Sequence, residues 1–267
     1  MTGASDELDA MSAAAREAGA GLMRHFRDRG SLHVELKGRA DFVSTADLES
    51  QETLRARLLG AYPAFGFLAE EGAPAQDSGF DGTRFIVDPL DGTTNFLHGI
   101  AHFAVAIALE RRGRIVAGVV FDPAKNEMFS AREGAGAWLD GERLRVSTDR
   151  DLALALVGTG IPHSNAVDRH ALYLPRLAAA MKEAAGIRRL GAAALDLAYV
   201  AAGRFAAYFE FGIKPWDVAA GSLIVREAGG RTSEPDGGSD FIGSGNVLAT
   251  NGIVHDPFIE LLRPRVG

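Results

Sequence analysis

Residues Val87-Asp88-Pro89-Leu90-Asp91-Gly92-Thr93-Thr94-Asn95-Phe96 set two carboxylates three positions apart, directly before a Gly-Thr-Thr stretch. Arg84 to Val87 closes a short apolar run that reads as a buried strand, and Pro89, which has no N–H, is expected to forbid its continuation as a central strand. The chain is therefore expected to turn there. A turn at a strand end presents carbonyls and amides together, so Asp88, the Leu90 carbonyl and Asp91 offer hard oxygen ligands to a cation of the Mg²⁺ type. Gly92 lets the backbone approach a ligand closely, and the amides after it can cradle an anion. Taken alone, the same string also suits an ordinary turn, because Pro, Asp and Gly are turn residues.

Three further segments carry acids in similar settings. Glu70-Glu71-Gly72 follows the apolar Phe65 to Leu68, Asp47 ends the stretch Asp41 to Asp47, and Asp217 lies in Lys214-Pro215-Trp216-Asp217, which runs on to Glu227-Ala228-Gly229-Gly230. With these four motifs in this order and spacing, the sequence resembles the inositol monophosphatase family of metal-dependent phosphatases over nearly its whole length.

The resemblance implies a mixed α/β chain (α+β) folded as a layered α-β-α-β-α sandwich of the inositol monophosphatase and sugar phosphatase type. Residues 1–150 are expected to form an N-terminal α+β half carrying most metal ligands. Residues 151–267 are expected to form a C-terminal α/β half carrying Asp217 and the contacts to a substrate ring, the two making one unit with the active site where they meet. It further implies two to three Mg²⁺ ions per site, one held by Glu70, Asp88 and the Leu90 carbonyl, a second by Asp88, Asp91 and Asp217, and a third depending mainly on Glu70. Thr93 would hold the attacking water and pass its proton toward Asp47, with Glu70 orienting that water. Gly92 and Thr93 amides would take phosphate oxygens. The implied substrate contacts are Asp91, Gly92, Thr93, Thr94, Ala193, Glu210 and Asp217. Lys37 and Glu71 are further candidates, although register favours Glu70 over Glu71.

The implied reaction is Mg²⁺-dependent hydrolysis of a phosphate monoester, myo-inositol 1-phosphate or a similar polyol phosphate, by in-line attack of an activated water. Glu210 before Phe211-Gly212 suits a polyol because a carboxylate is an acceptor facing several O–H donors. Fructose-1,6-bisphosphatase or nucleotide phosphatase activity on the same scaffold is an alternative, as is a regulatory role through a protein or RNA partner. Lithium sensitivity and a homodimer are likewise implied by the resemblance.

Each residue has a plainer reading. Asp47 three residues after Ser44 fits a helix capping box, Asp217 in the first turn of a helix would be favourable against the macrodipole, and Glu70 and Glu71 suit a solvated acidic turn. Trp216 is expected to pack behind Asp217 rather than meet a substrate, and His98 to act as structural support.

Composition narrows the classes. Counts of 28 basic and 35 acidic residues give a net charge of −7, which argues against a general nucleic-acid binder. The absence of cysteine excludes disulfides, thiolate metal sites and a cysteine nucleophile. Asp6, Glu7 and Asp9 precede any basic residue, the wrong sign for a secretory signal, and no apolar run approaches a membrane span, so a soluble cytoplasmic protein is expected.

Helical spacing is expected from Glu7 to Arg27, and a second helix from Ser44 toward Gly60. Phe103 to Glu110, Arg114 to Phe121 and Glu127 to Ala131 read as an antiparallel meander with Arg112-Gly113 and Asp122-Pro123 turns, followed by Ala135 to Leu139. From about Leu152 strands and helices alternate, with Pro215 at the first position of a helix and Gly221 inside it, where a glycine points to a close helix contact.

Overall fold

The computed structural model describes residues 3–28, 30, 32–38, 41–71, 82–162 and 167–263. The chain opens with α1 (Gly3–Arg27), a short hairpin β1 (Val34–Gly38) and β2 (Asp41–Ser44), and α2 (Thr45–Ala61). There follow β3 (Gly66–Ala69), β4 (Thr83–Asp91), α3 (Thr93–Leu97), β5 (Ala104–Arg111), β6 (Arg114–Asp122), β7 (Glu127–Arg132), β8 (Gly136–Leu139) and β9 (Glu142–Arg143). The remainder is β10 (Leu156–Thr159), α4 (Val167–Glu183), β11 (Gly186–Arg188), α5 (Ala193–Ala201), β12 (Ala207–Phe211), α6 (Pro215–Glu227), β13 (Arg231–Ser233), α7 (Phe241–Ser244), β14 (Asn246–Thr250) and α8 (His255–Leu262).

Alternation along β4 sets the layers. Phe85 and Val87 enter one core with Met11, Leu22 and Leu54 of α1 and α2, whereas Ile86 enters a second core with residues of α5 and α6. A seven-stranded sheet in the order β3 to β9 therefore lies between α1/α2 and α5/α6. The other side of α5 and α6 meets a five-stranded sheet, β11-β10-β12-β14-β13. Its far face carries Val157, Phe209 and Leu248 into a third core with Tyr173 of α4 and Phe258 of α8. The result is the expected α-β-α-β-α sandwich. Among the described residues no helix is long and apolar enough to cross a membrane.

Beyond Val87 the strand is no longer central, as expected, but the expected turn does not form, and this shapes the site. Pro89 does not end the strand: β4 runs through it to Asp91. Asp88 pairs with Ala106 and Asp91 with Ala104, so Pro89 and Leu90 together oppose the single Val105. This is a β-bulge, one of the few places where a proline is tolerated within a sheet because no ladder N–H is demanded of it. Pairing with β3 has already stopped at Val87, and the Pro89 carbonyl instead accepts a hydrogen bond from Ser50 Oγ of α2 at 2.7 Å. Thr93 to Leu97, read from sequence as part of a turn, forms the short helix α3, with Gly92 at its N-cap in the left-handed region (φ 91°, ψ 33°).

Helix α6 lies very close to both neighbours. A Cβ on Gly221 would stand 2.6 Å from Leu197 Cβ of α5, and one on Gly118 of β6 would stand 2.9 Å from the Ala220 carbonyl oxygen. Gly221 thus makes the close helix contact its position implied. Gly221→Val is expected to destabilise the protein by roughly 2 kcal/mol, because overpacking against a backbone-anchored Cβ outweighs the few tenths gained in helix propensity. Urea unfolding of the two proteins checks this; equal midpoints would refute it.

Candidate active site

The bulge determines where the first two acids point. In a regular strand, residues three apart face opposite sides, but one extra residue restores the parity. Asp88 and Asp91 accordingly sit opposite Ala106 and Ala104, both members of the core shared with α5 and α6, while Leu90 enters the opposite core with α1 and α2. Asp88 Oδ1 accepts the Leu90 N–H at 3.0 Å, and the Asp91 oxygens accept the Ala193 and Ala194 N–H groups at 3.2 and 2.8 Å. Asp91 is thereby anchored to the start of α5, whose first amides have no partner within the helix.

A cavity of about 420 Å³ opens between the two sheets. Glu70 from the end of β3, Asp88 and Asp91 from β4 and Asp217 from the first turn of α6 all line it, together with Leu90. Gly92, Thr93, Thr94, Ala193 and Glu210 line it as well. Glu71 does not; it is 5 % exposed, and its backbone N–H and carbonyl are clamped by the Gln51 side chain at 3.0 and 2.6 Å. Asp47 stands behind Thr93: Thr93 Oγ1 is 3.1 Å from Asp47 Oδ1 and 3.0 Å from the Leu90 carbonyl, both acceptors. Lys37 falls in β1, but its side chain lies outside the described residues.

Asp47 has its structural role too. Its Oδ2 accepts the Ser44 N–H at 2.9 Å and Ser44 Oγ at 2.6 Å, at the N-terminus of α2. His98 Nδ1 lies 2.9 Å from the Thr94 carbonyl in the last turn of α3, as a support. Trp216 lines the cavity beside Asp217 and also packs against the core shared with α5 and α6.

The electrostatics are those of crowded carboxylates. Asp88 is pushed well above the usual carboxylate range, first by burial and then by the charges of Glu70, Asp91 and Asp217. Burial, then Asp91, raises Asp217 to about 7, and burial raises Asp91 to about 7 against the opposing hydrogen bond from Ala194. Glu210 is raised to about 7 by burial, with the Tyr208 hydroxyl donating to its Oε2 in opposition. Asp47 is raised by burial, opposed by Ser44 and Thr93. The charged neighbours of Asp88 are themselves acids, so the donor set of carboxylates plus the Leu90 carbonyl fits hard divalent cations. Among the described residues no three acids or histidines close on a single point as a full cage. Ions of the Mg²⁺ type need none, because they keep waters and are completed by substrate phosphate.

Some cavity residues escaped the sequence reading: Asp196 of α5, and the cations Arg169, Arg189 and Lys214. Asp196 had a signal, being the one acid inside the apolar run Ala193 to Ala201. The cations had none, since arginines and lysines are ordinarily solvated wherever they fall in a chain.

With this geometry in place, comparison with known proteins is decisive. The sequence model of the inositol monophosphatase family matches residues 5–266. The chain belongs to the inositol monophosphatase family. It is 49 % identical over 245 residues to an inositol-1-monophosphatase of Rhizobium meliloti, covering 91 % of each chain. It is 43 % identical to a Pseudomonas aeruginosa protein named Nus factor SuhB, covering 95 % of this chain and 94 % of that one. Among solved structures it is similar to the extragenic suppressor protein SuhB of Bartonella henselae, with a TM-score of 0.92, 46 % identity and coverage of 97 and 98 %. Membership of this family makes the chain an enzyme, a phosphatase.

Raised carboxylate pKa values have a stability consequence. Asp91, Asp217 and Glu210 hold protons in the folded state that the unfolded chain has released, so their contribution is present below about pH 4 and lost as pH rises through about 7. In chelator-treated protein the melting temperature is expected to be lower at about pH 8 than at about pH 6, with added Mg²⁺ restoring most of the difference. A melting temperature independent of pH and Mg²⁺ across that window would contradict the crowded-acid account.

Proposed function

We propose that this member of the family is a Mg²⁺-dependent hydrolase of myo-inositol 1-phosphate or a similar polyol phosphate. The observation that carries the reading is the convergence of Glu70, Asp88, Asp91 and Asp217, from three separate stretches of sequence, on one cavity that Glu210 also lines. Two to three divalent ions held by these acids and the Leu90 carbonyl would supply the positive charge needed to bring a nucleophile to an already anionic phosphate and to steady the leaving oxygen.

The chain's own groups do the rest. Thr93 Oγ1 points its proton toward Asp47 Oδ1 and the Leu90 carbonyl, which leaves its lone pairs to receive a hydrogen bond from the attacking water. Asp47, already shifted upward by burial, is the proton's destination at the far end of that relay. Glu70 orients the water from the other side, and the Gly92 and Thr93 amides take phosphate oxygens at the start of α3. Asp91 holds its position through α5 while facing the substrate. Glu210, on β12 across the cavity, accepts hydroxyl hydrogen bonds from the polyol.

A panel of myo-inositol 1-phosphate, fructose 1,6-bisphosphate and a nucleoside monophosphate, with and without Mg²⁺, tests the reading. Turnover is expected to require Mg²⁺ and to favour the inositol ester, and rising Li⁺ is expected to lower it. Asp91→Asn, if folded, should lose turnover by roughly a hundredfold or more, as removal of a charge-stabilising group does. Undiminished Mg²⁺-dependent turnover in that variant would refute the ligand assignment.

A second reading has support in the relatives named Nus factor SuhB. It gives the same scaffold a regulatory role through a protein or RNA partner. Negligible phosphatase activity together with salt-dependent association with RNA would favour it over the enzymatic reading. A homodimer is proposed on the family resemblance alone, and sedimentation of the purified chain would test it.

A further inference from the structure

Asp196 is a buried acid that the proposed mechanism does not use. It is 1 % exposed, yet it borders the active-site cavity, and among the described residues nothing hydrogen-bonds its Oδ1. A buried carboxyl oxygen without a hydrogen-bond partner costs free energy that the rest of the fold must offset, and burial, then the charges of Glu210 and Asp91, hold this carboxyl well above the usual carboxylate range, so it is a group awaiting a partner. Its position supplies the rest of the argument. Asp196 lies one helical turn after Ala193 on α5, on the same face, and its foremost charged neighbours are Glu210 and Asp91.

Part of Glu210's accepting capacity is already committed within the protein. Its Oε2 already accepts the Tyr208 hydroxyl, and the carboxylate is pressed against Gly160, where any Cβ would overlap it. A polyol carries neighbouring hydroxyls, and burying an O–H without an acceptor is penalised as surely as burying an acceptor without a donor. Glu210 on β12 and Asp196 on α5 both line the cavity, so a second acid stands beside Glu210 for a neighbouring hydroxyl.

We propose that Asp196 is a second hydroxyl acceptor of the substrate subsite, taking a ring hydroxyl next to the one held by Glu210, and thereby determines preference for polyol esters. The inference rests on the polyol-phosphate reading given above. The competing account makes Asp196 a structural acid in the first turn of α5, favourable against the helix dipole and indifferent to substrate.

The experiment compares kcat and KM of wild type and Asp196→Ala, with Mg²⁺, on myo-inositol 1-phosphate and on p-nitrophenyl phosphate, whose ring bears no hydroxyl. Expected is a fall of roughly tenfold to a hundredfold in the ratio of kcat/KM for the two esters, the size of a lost buried hydrogen bond. An unchanged ratio, or a loss shared equally by both esters, overturns the inference. Wild type that shows no preference for the inositol ester overturns the polyol reading itself and the inference with it, so the two failures are told apart by the wild-type arm. Should Asp196→Ala not fold, wild type is assayed on inositol phosphates each lacking one ring hydroxyl. Losses at two neighbouring positions support a pair of acceptors, and a loss at one position or none overturns it.

Discussion

A single extra residue in β4 organises the site. Because Pro89 and Leu90 together oppose Val105, the carboxylates of Asp88 and Asp91 emerge on one face of the central sheet although their spacing in the chain is odd. Without the bulge one of the two would enter the apolar core beneath α1 and α2, where Val87 and Leu90 now lie, and an ionised group there would be intolerable. Proline fits the bulge because its missing N–H is not wanted, and Ser50 of α2 takes up the carbonyl it leaves unpaired. The local irregularity is therefore held from outside as well as dictated from within.

Bringing the next acid to that pair depends on small residues in the middle layer. Asp217 rides on the first turn of α6, and α6 reaches β6 and α5 as closely as it does because Gly118 and Gly221 contribute no side chain at the contacts. Larger residues there would lift the helix outward, and Asp217 with it. Packing and electrostatics thus oppose each other by construction: dense packing forces like charges together at one cavity wall, and each raises the others' affinity for protons. A fold that tolerates such strain at one place must gain its stability elsewhere, here in three apolar cores flanking two sheets.

How far the sequence foretold this follows from the kind of constraint involved. The meander was legible because its Arg112-Gly113 turn places Gly113 at the positive φ that glycine favours, and the Gly221 contact because glycine inside a helix needs a reason. The cluster of Glu70, Asp88, Asp91 and Asp217 was legible through motif order. The bulge was not, since Pro89 reads as a strand breaker until a partner strand is known to step past it. Short strands such as β11 and β13 were missed because three residues carry too little periodicity. Arg189 and Arg169 reach the cavity through tertiary folding alone.

Asp47 shows why the plain and the functional readings of a residue need not compete. A carboxylate has two oxygens, and the structure divides them: Oδ2 accepts from the Ser44 backbone and hydroxyl and so caps α2, while Oδ1 accepts from Thr93 at the wall of the cavity. The cap fixes the carboxylate's orientation, which spares the site the entropic cost of holding a free side chain in place. Burial that would trouble a purely structural acid also raises its proton affinity, and this is the property a proton acceptor behind Thr93 requires. In the mechanism proposed above, the capping box would be the means by which a helix terminus delivers an oriented base; Asp217 is oriented in the same way, its Oδ2 accepting the Lys214 N–H at 2.7 Å while the residue lines the cavity.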